Sequence, residues 1–279
     1  MRRIFERLTA VAALCLATIA NAQRPALGPE RDDLRHFGGD VWGVWTAPAH
    51  ITSRDALDAA GAMGVVGLLA IKDSAVWVWM NTHPNTLVMR AIRPIREEWR
   101  YPLYELGSGQ YILPLSAVLY TSGRLANNAS LRDAGLGCAT GHLTSAGLRD
   151  VIYALISRAR PRITPEPYHF GFPGTKNWDW HSFLSGHIAN SMSCASFISH
   201  RYSLGPLEAL PYMYSGAIGL GRMADGRHWF SDTMAGALMG FAIGRTVANR
   251  QLGRVARQSA LAGNREEFPA PLIRWSFSF

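Results

Sequence analysis

The stretch "HSFLSGHIANSM", residues 181–192, decides how the chain is read. Ser185 and Gly186 form a turn, His187 follows, and small and apolar residues continue at three- and four-residue intervals, so the turn opens a helix. A Ser-Gly-His turn is common and mostly without chemistry. What gives this one meaning is the chain on either side of it.

Upstream lies "RITPEPYHFGFPGTKNWDWHSFL", residues 162–184, rich in Pro, Gly and aromatics and without helical period. Structureless connections of this length in a folded domain are functional or disordered, and the aromatic content speaks for order. An ordered loop therefore leads into the turn. Before it, "SRARPR" places Arg160-Pro161 where Pro is expected to stop a helix and free the arginine from its axis. Downstream, "GRMADGRHWFSD" sets Arg222, His228 and Asp232 in the order Arg-x5-His-x3-Asp. With a helix starting near Ser231, His228 stands at a loop-to-helix junction and Asp232 one turn further on. A carboxylate there can accept from one ring nitrogen and leave the other as a nucleophile. Arginine forks match phosphate oxygens in charge and shape, and a helix N-terminus with Gly186 offers backbone N–H groups at close approach. The set is suited to a tetrahedral oxyanion.

Arg160-Pro161, Ser185-Gly186-His187 and Arg222-x5-His228-x3-Asp232, in that order, resemble the three-part signature of the type 2 phosphatidic acid phosphatase and vanadium haloperoxidase superfamily. The resemblance spans roughly 145–245, and the helices before it look like those of exported bacterial members. It implies an all-α, multi-helix bundle and a metal-independent phosphatase. His228 would be the nucleophile that forms phosphohistidine, Asp232 would orient it, and His187 would serve as general acid and then base. Arg160, Arg222, Ser185 and the Gly186 amide would hold the phosphoryl oxygens. No cofactor and no metal is implied; vanadate belongs only to the haloperoxidase alternative.

Two positions depart from the signature. Leu184 stands where Pro usually opens the second motif. Tyr153 stands where the first motif carries Lys, seven residues before Arg160, so a positive charge is missing. Arg149, one helical turn earlier, and Lys176 in the long loop are the candidate substitutes. The departure also leaves open a catalytically degenerate scaffold or phosphate-binding protein.

The rest of the chain sets the context. Arg2, Arg3 and Arg7, the apolar run "LTAVAALCLATI" and Ala20-Asn21-Ala22 read as a signal peptide over 1–22, which implies a periplasmic or secreted protein. Leu14 and Leu16 around Cys15 argue against a lipoprotein signal. Removing three arginines and one glutamate takes the net charge from +8 to about +6. No Lys/Arg block or basic-aromatic interleaving occurs, which excludes nucleic acid as the expected partner. A phosphorylated small molecule or lipid is the expected one, and tryptophans with a basic surface leave peripheral membrane contact open. Oligomeric state is not legible. Cys138 and Cys194 remain after processing, either as a disulfide or as two buried thiols.

Residues 23–52 read as a lead segment and 53–262 as the helical domain. "SRDALDAAGAMGVVGLLAI" begins at Ser53 as N-cap candidate, and further helical patterns cover 84–97, 110–126, 130–158, 187–200, 206–222 and 231–250. None holds eighteen unbroken apolar residues, which favours a soluble bundle over an integral membrane protein. The tail 263–279 ends in "PLIRWSFSF", whose alternation suggests a docked strand.

Overall fold

The computed structural model describes residues 17, 19, 32–98, 104–202 and 204–261. Among them the helices are α1 (Asp33–Thr46), α2 (Ser53–Ala70), α3 (Asp73–Thr82), α4 (Leu87–Arg93), α5 (Gly109–Leu125), α6 (Ala129–Leu155), α7 (Gly186–Tyr202), α8 (Ala209–Ala224) and α9 (Phe230–Leu261). The fold is all-helical, as expected. Extended pairing among the described residues is limited to isolated bridges from Arg158 to Phe170 and to His181. The expected signal peptide, apart from positions 17 and 19, and the expected terminal strand lie outside the described residues.

The helix carrying the Ser-Gly-His turn is the centre of the bundle. α7 is buried on nearly every side, with α6, α8 and α9 packed around it. Its sequence, GHIANSMSCASFISHRY, suits that place because small residues let three helices close in at once. Its buried hydroxyls are satisfied locally: Ser191 and Ser193 donate to the Ile188 and Asn190 carbonyls, and Ser196 donates to Phe241 of α9. α9 meets α7 through Gly236, Gly240 and Gly244. A Cβ on Gly236 would stand 2.5 Å from the Ser185 carbonyl oxygen, and Cβ atoms on the other two would collide with the carbonyls of Ala189 and Ser193. The glycine row therefore sets how close α9 comes to the turn.

Around this contact the core gathers Val44, Cys138, Phe197, Tyr202, Ile243 and Val247. Cys138 of α6 and Cys194 of α7 form a disulfide, which settles the pairing that the sequence left open.

Several boundaries differ from expectation. The lead segment contains α1, which packs on α6 and binds α9 through Asp40, the acceptor for Arg250 (3.1 Å) and Arg254 (2.5 Å). α2 is capped by Thr52, not Ser53. The Thr52 hydroxyl oxygen accepts from the Asp55 amide and the Asp55 carboxylate accepts from the Thr52 amide, a reciprocal cap. α3 was not anticipated. α6 ends at Leu155, five residues before Arg160, so Pro161 does not stop it: Ile156 already has extended backbone. α9 runs on to Leu261, well past the pattern that ended at 250.

Candidate active site

The connection from Ile156 to Ser185 is ordered by its own backbone. Ala159 N–H donates to His169 (2.9 Å), Arg160 N–H to Asp179 (3.0 Å), Ser182 N–H to Arg158 (3.1 Å) and Ser185 N–H to Asp232 at the head of α9 (3.1 Å). These bonds bring the first and second motifs against the third. His187 and Arg222 then meet at one carboxylate, and the Arg160 and Arg222 guanidiniums and His187 are close enough to act on His228.

His228 is buried at the loop-to-helix junction, as expected. Its ring is held differently from expectation. Nδ1 lies 2.7 Å from the Ser182 carbonyl oxygen, so Nδ1–H is the donor and the Nε2 lone pair is left free. Asp232 does not bond the ring. Its carboxylate accepts from the Ser182 hydroxyl (2.5 Å), the Trp229 amide (2.9 Å) and Arg158 (2.5 Å). Asp232 thus fixes Ser182 and the start of α9, and Ser182 fixes the histidine. The reason is register: Asp232 Oδ2 caps the Trp229 amide three residues back, which turns it away from the imidazole. Burial, together with the Arg160 and Arg222 charges, holds His228 well below the usual histidine range, so it is neutral at neutral pH.

Behind Asp232 stands a buried charge network that the sequence motifs did not disclose. Arg158 bridges Asp232 to Asp73 of α3 (2.7 Å), and Asp73 accepts from both the amide (2.8 Å) and the hydroxyl (2.6 Å) of Ser231. Every charge here has partners, as burial requires.

The cation side of the site is less complete. Arg160 is buried and donates to the His181 carbonyl (3.1 Å), while its Nε has no partner. Arg222 is buried against the Tyr104 ring, and its Nε is likewise unpartnered. The fully buried Ser185 hydroxyl has no partner either. Burial and the neighbouring Arg162, Arg227 and Arg222 charges bring Arg160 down to about 10. Mutually repelling arginines with unused donors call for an anion.

His187 heads α7, and its Nε2 lies 2.9 Å from a Glu105 carboxylate oxygen that also accepts from Arg222 (2.7 Å). Sequence reading missed Glu105. It lies outside all three motifs, 82 residues from His187 and 117 from Arg222, and no local signal marks it. Burial lowers His187 to about 4, against the pull of Glu105. Burial alone would raise Glu105; the hydrogen bond from His187 and the Arg222 charge outweigh it and bring it to about 2.

Tyr153 and the two candidate substitutes for the missing lysine separate clearly. Tyr153 is buried and stacks on His181, but its hydroxyl donates to the Leu184 carbonyl (2.9 Å) and so braces the second motif from behind. That proton is therefore already used and is not free for a phosphate oxygen. Lys176 is exposed in the loop. Arg149 does reach the turn. A Cβ on Gly186 would lie 2.5 Å from Arg149 Cδ and 3.2 Å from Nη1, so Gly186 is what admits this side chain. Its Nε and Nη2 bond Asp150. Asp225 is half-buried and accepts from Tyr104 (2.8 Å).

Residues 135–255 match the family model described as the PAP2 superfamily. The chain carries a PAP2-superfamily domain. Its limits enclose all three motifs and run from α6 to within six residues of the end of α9. No solved structure matches the chain. The match over this segment points to phosphatase-like chemistry on phosphate esters. Glu105 and Asp73 lie upstream of the matched PAP2 segment, so the helices before it contribute to the same site.

Proposed function

We propose that the chain is an exported phosphatase that hydrolyses phosphomonoesters or lipid phosphates through a phosphohistidine on His228. The observation that carries this reading is the set of unpartnered buried donors on Arg160, Arg222 and Ser185 beside a neutral histidine whose Nδ1 is tied down.

The steps follow from the donors and lone pairs. Arg160, Arg222, the Ser185 hydroxyl and the Gly186 amide take the phosphoryl oxygens, with Arg149 supplying positive charge at the rim. His228 Nε2 attacks phosphorus; an N–P bond forms as the ester P–O bond breaks. His187 gives its proton to the leaving oxygen and the alcohol departs. The same histidine, now neutral, takes a proton from water as the water oxygen attacks phosphorus and the N–P bond breaks. Inorganic phosphate leaves and both histidines are restored. The bound ester's negative charge raises His187 from its resting value, which makes protonation available where it is needed. Glu105 holds that imidazolium and steers Arg222. No step uses a metal.

Export is supported by the Cys138–Cys194 disulfide, which suits an oxidising compartment. The test is phosphate release from para-nitrophenyl phosphate and from a short-chain phosphatidic acid, with and without chelator, for the wild type and His228→Ala. The reading expects chelator-insensitive release that the substitution abolishes. Release that survives in His228→Ala, or that stops with chelator, contradicts it.

A further inference from the structure

We propose that α2 and α3, together with the aromatic part of the 156–185 loop, form a docking face for the surface of an anionic lipid bilayer. α2 carries no charged residue between Asp58 and Lys72. Only Val66 in that run is buried, on the side that meets α9. Leu57, Met63, Val65, Leu68 and Ile71 are exposed, Leu68 by 68% and Ile71 by 66%. At 3.6 residues per turn these five positions cover an arc of about 200°. Gly61, Gly64 and Gly67 lie within the same arc, with no neighbour within 4 Å of an added Cβ. A partner helix or a second copy covers one stripe of a helix, roughly half that width. A lipid surface encloses such an arc without needing a complementary shape.

The geometry also separates docking from spanning. Among the described residues no single helix is long and apolar enough to cross a bilayer, while α2 and α3 meet that length and composition only together and are bent by 51° at their junction. Net charge favours the same partner: without residues 1–22 the chain carries about +6, and Arg54 and Lys72 stand exposed at the two ends of α2.

The face adjoins the phosphate cradle. The Tyr168 hydroxyl donates to the carbonyl of Ala70 at the end of α2 (3.0 Å), which joins the loop to the helix. The loop then exposes Phe170, Phe172 and Trp178, Phe172 by 90%. Trp178 stands edge-on to His181, whose carbonyl holds Arg160. Aromatic rings at the margin of an apolar face are what a bilayer interface favours.

The test is flotation of the full chain with vesicles of equal parts phosphatidylglycerol and phosphatidylcholine, and with phosphatidylcholine alone. Wild type is expected to float with the anionic vesicles. Leu68→Asp and Ile71→Asp should each lower the bound fraction on the order of tenfold while turnover of para-nitrophenyl phosphate stays unchanged. If either aspartate unfolds the chain, Leu68→Gln and Ile71→Gln repeat the measurement with less perturbation. Three results overturn the proposal. Wild type does not float; or the variants float like wild type, which assigns docking to another part of the chain such as its first 31 residues; or sedimentation shows a wild-type dimer that Leu68→Asp dissociates without any vesicle binding, which assigns the face to a second copy. Flotation needs no turnover, so the outcome is independent of the phosphatase reading.

Discussion

At the scale of single residues, the site is a balance of one buried carboxylate against several buried cations. Glu105 raises the affinity of His187 for a proton, so removing its charge should lower the pKa of that histidine further. Glu105→Gln is therefore expected to move the alkaline limb of the kcat profile to lower pH and to reduce kcat by about 10- to 100-fold near neutrality. A profile unchanged in shape would show that Glu105 only packs. In the proposed mechanism Arg222→Ala removes a donor to the phosphoryl oxygens and releases Glu105 as well, so a loss in kcat of about 10²- to 10³-fold is expected from steady-state rates. Arg149→Ala, at the rim, should raise KM more than it lowers kcat. The sequence made His228, His187, Arg160, Arg222 and Ser185 visible because each sits in a short motif. It hid Glu105 and Asp73, because their partners are 82 to 158 residues away and only the packed helices bring them together. Ser182 carried a faint signal, three residues ahead of Ser185, but its carbonyl, rather than its side chain, holds the histidine.

At the scale of elements, α7 and α9 determine the geometry of the turn. Gly240→Val would drive a side chain into the Ala189 carbonyl, which a helix backbone cannot yield to; a loss of about 1–3 kcal/mol in stability is expected by denaturant unfolding. The disulfide ties α6 to α7 across 56 residues, and its reduction should cost about 4 kcal/mol by loop-closure entropy. A melting temperature indifferent to reductant would contradict that. Helices with clear apolar spacing and recognisable caps were legible. α3 was not: its DSAVWVWMNT mixes β-branched and aromatic residues of weak helix propensity, and Asp73 begins it through bonds to Arg158 and Ser231 rather than through a local cap. The end of α6 was misread for a related reason. Pro161 is the visible stop signal, yet the backbone leaves the helix at Ile156 so that Ala159 can donate to His169 and Ser157 can accept from Gly171.

At the scale of the whole molecule, three neutral histidines among the described residues, each held low by loss of solvation, make stability depend on acid. His142, His187 and His228 have folded-state values below that of the unfolded chain, so between about pH 6.5 and 4 the unfolded state binds more protons and stability falls as pH falls. Below about pH 4.5 Glu105 adds to the fall, because its folded value is also depressed. The melting temperature should drop by roughly 5 °C between pH 7 and pH 5. His187→Gln should flatten that slope, and an unaltered slope would count against the assignment. The central claim is covalent chemistry at His228, and its most direct measurement is a rapid quench of the enzyme with a ³²P-labelled phosphomonoester. The account predicts a base-stable, acid-labile phosphoryl group on His228, absent in His228→Ala. Turnover with no labelled protein, or label on any other residue, would contradict it.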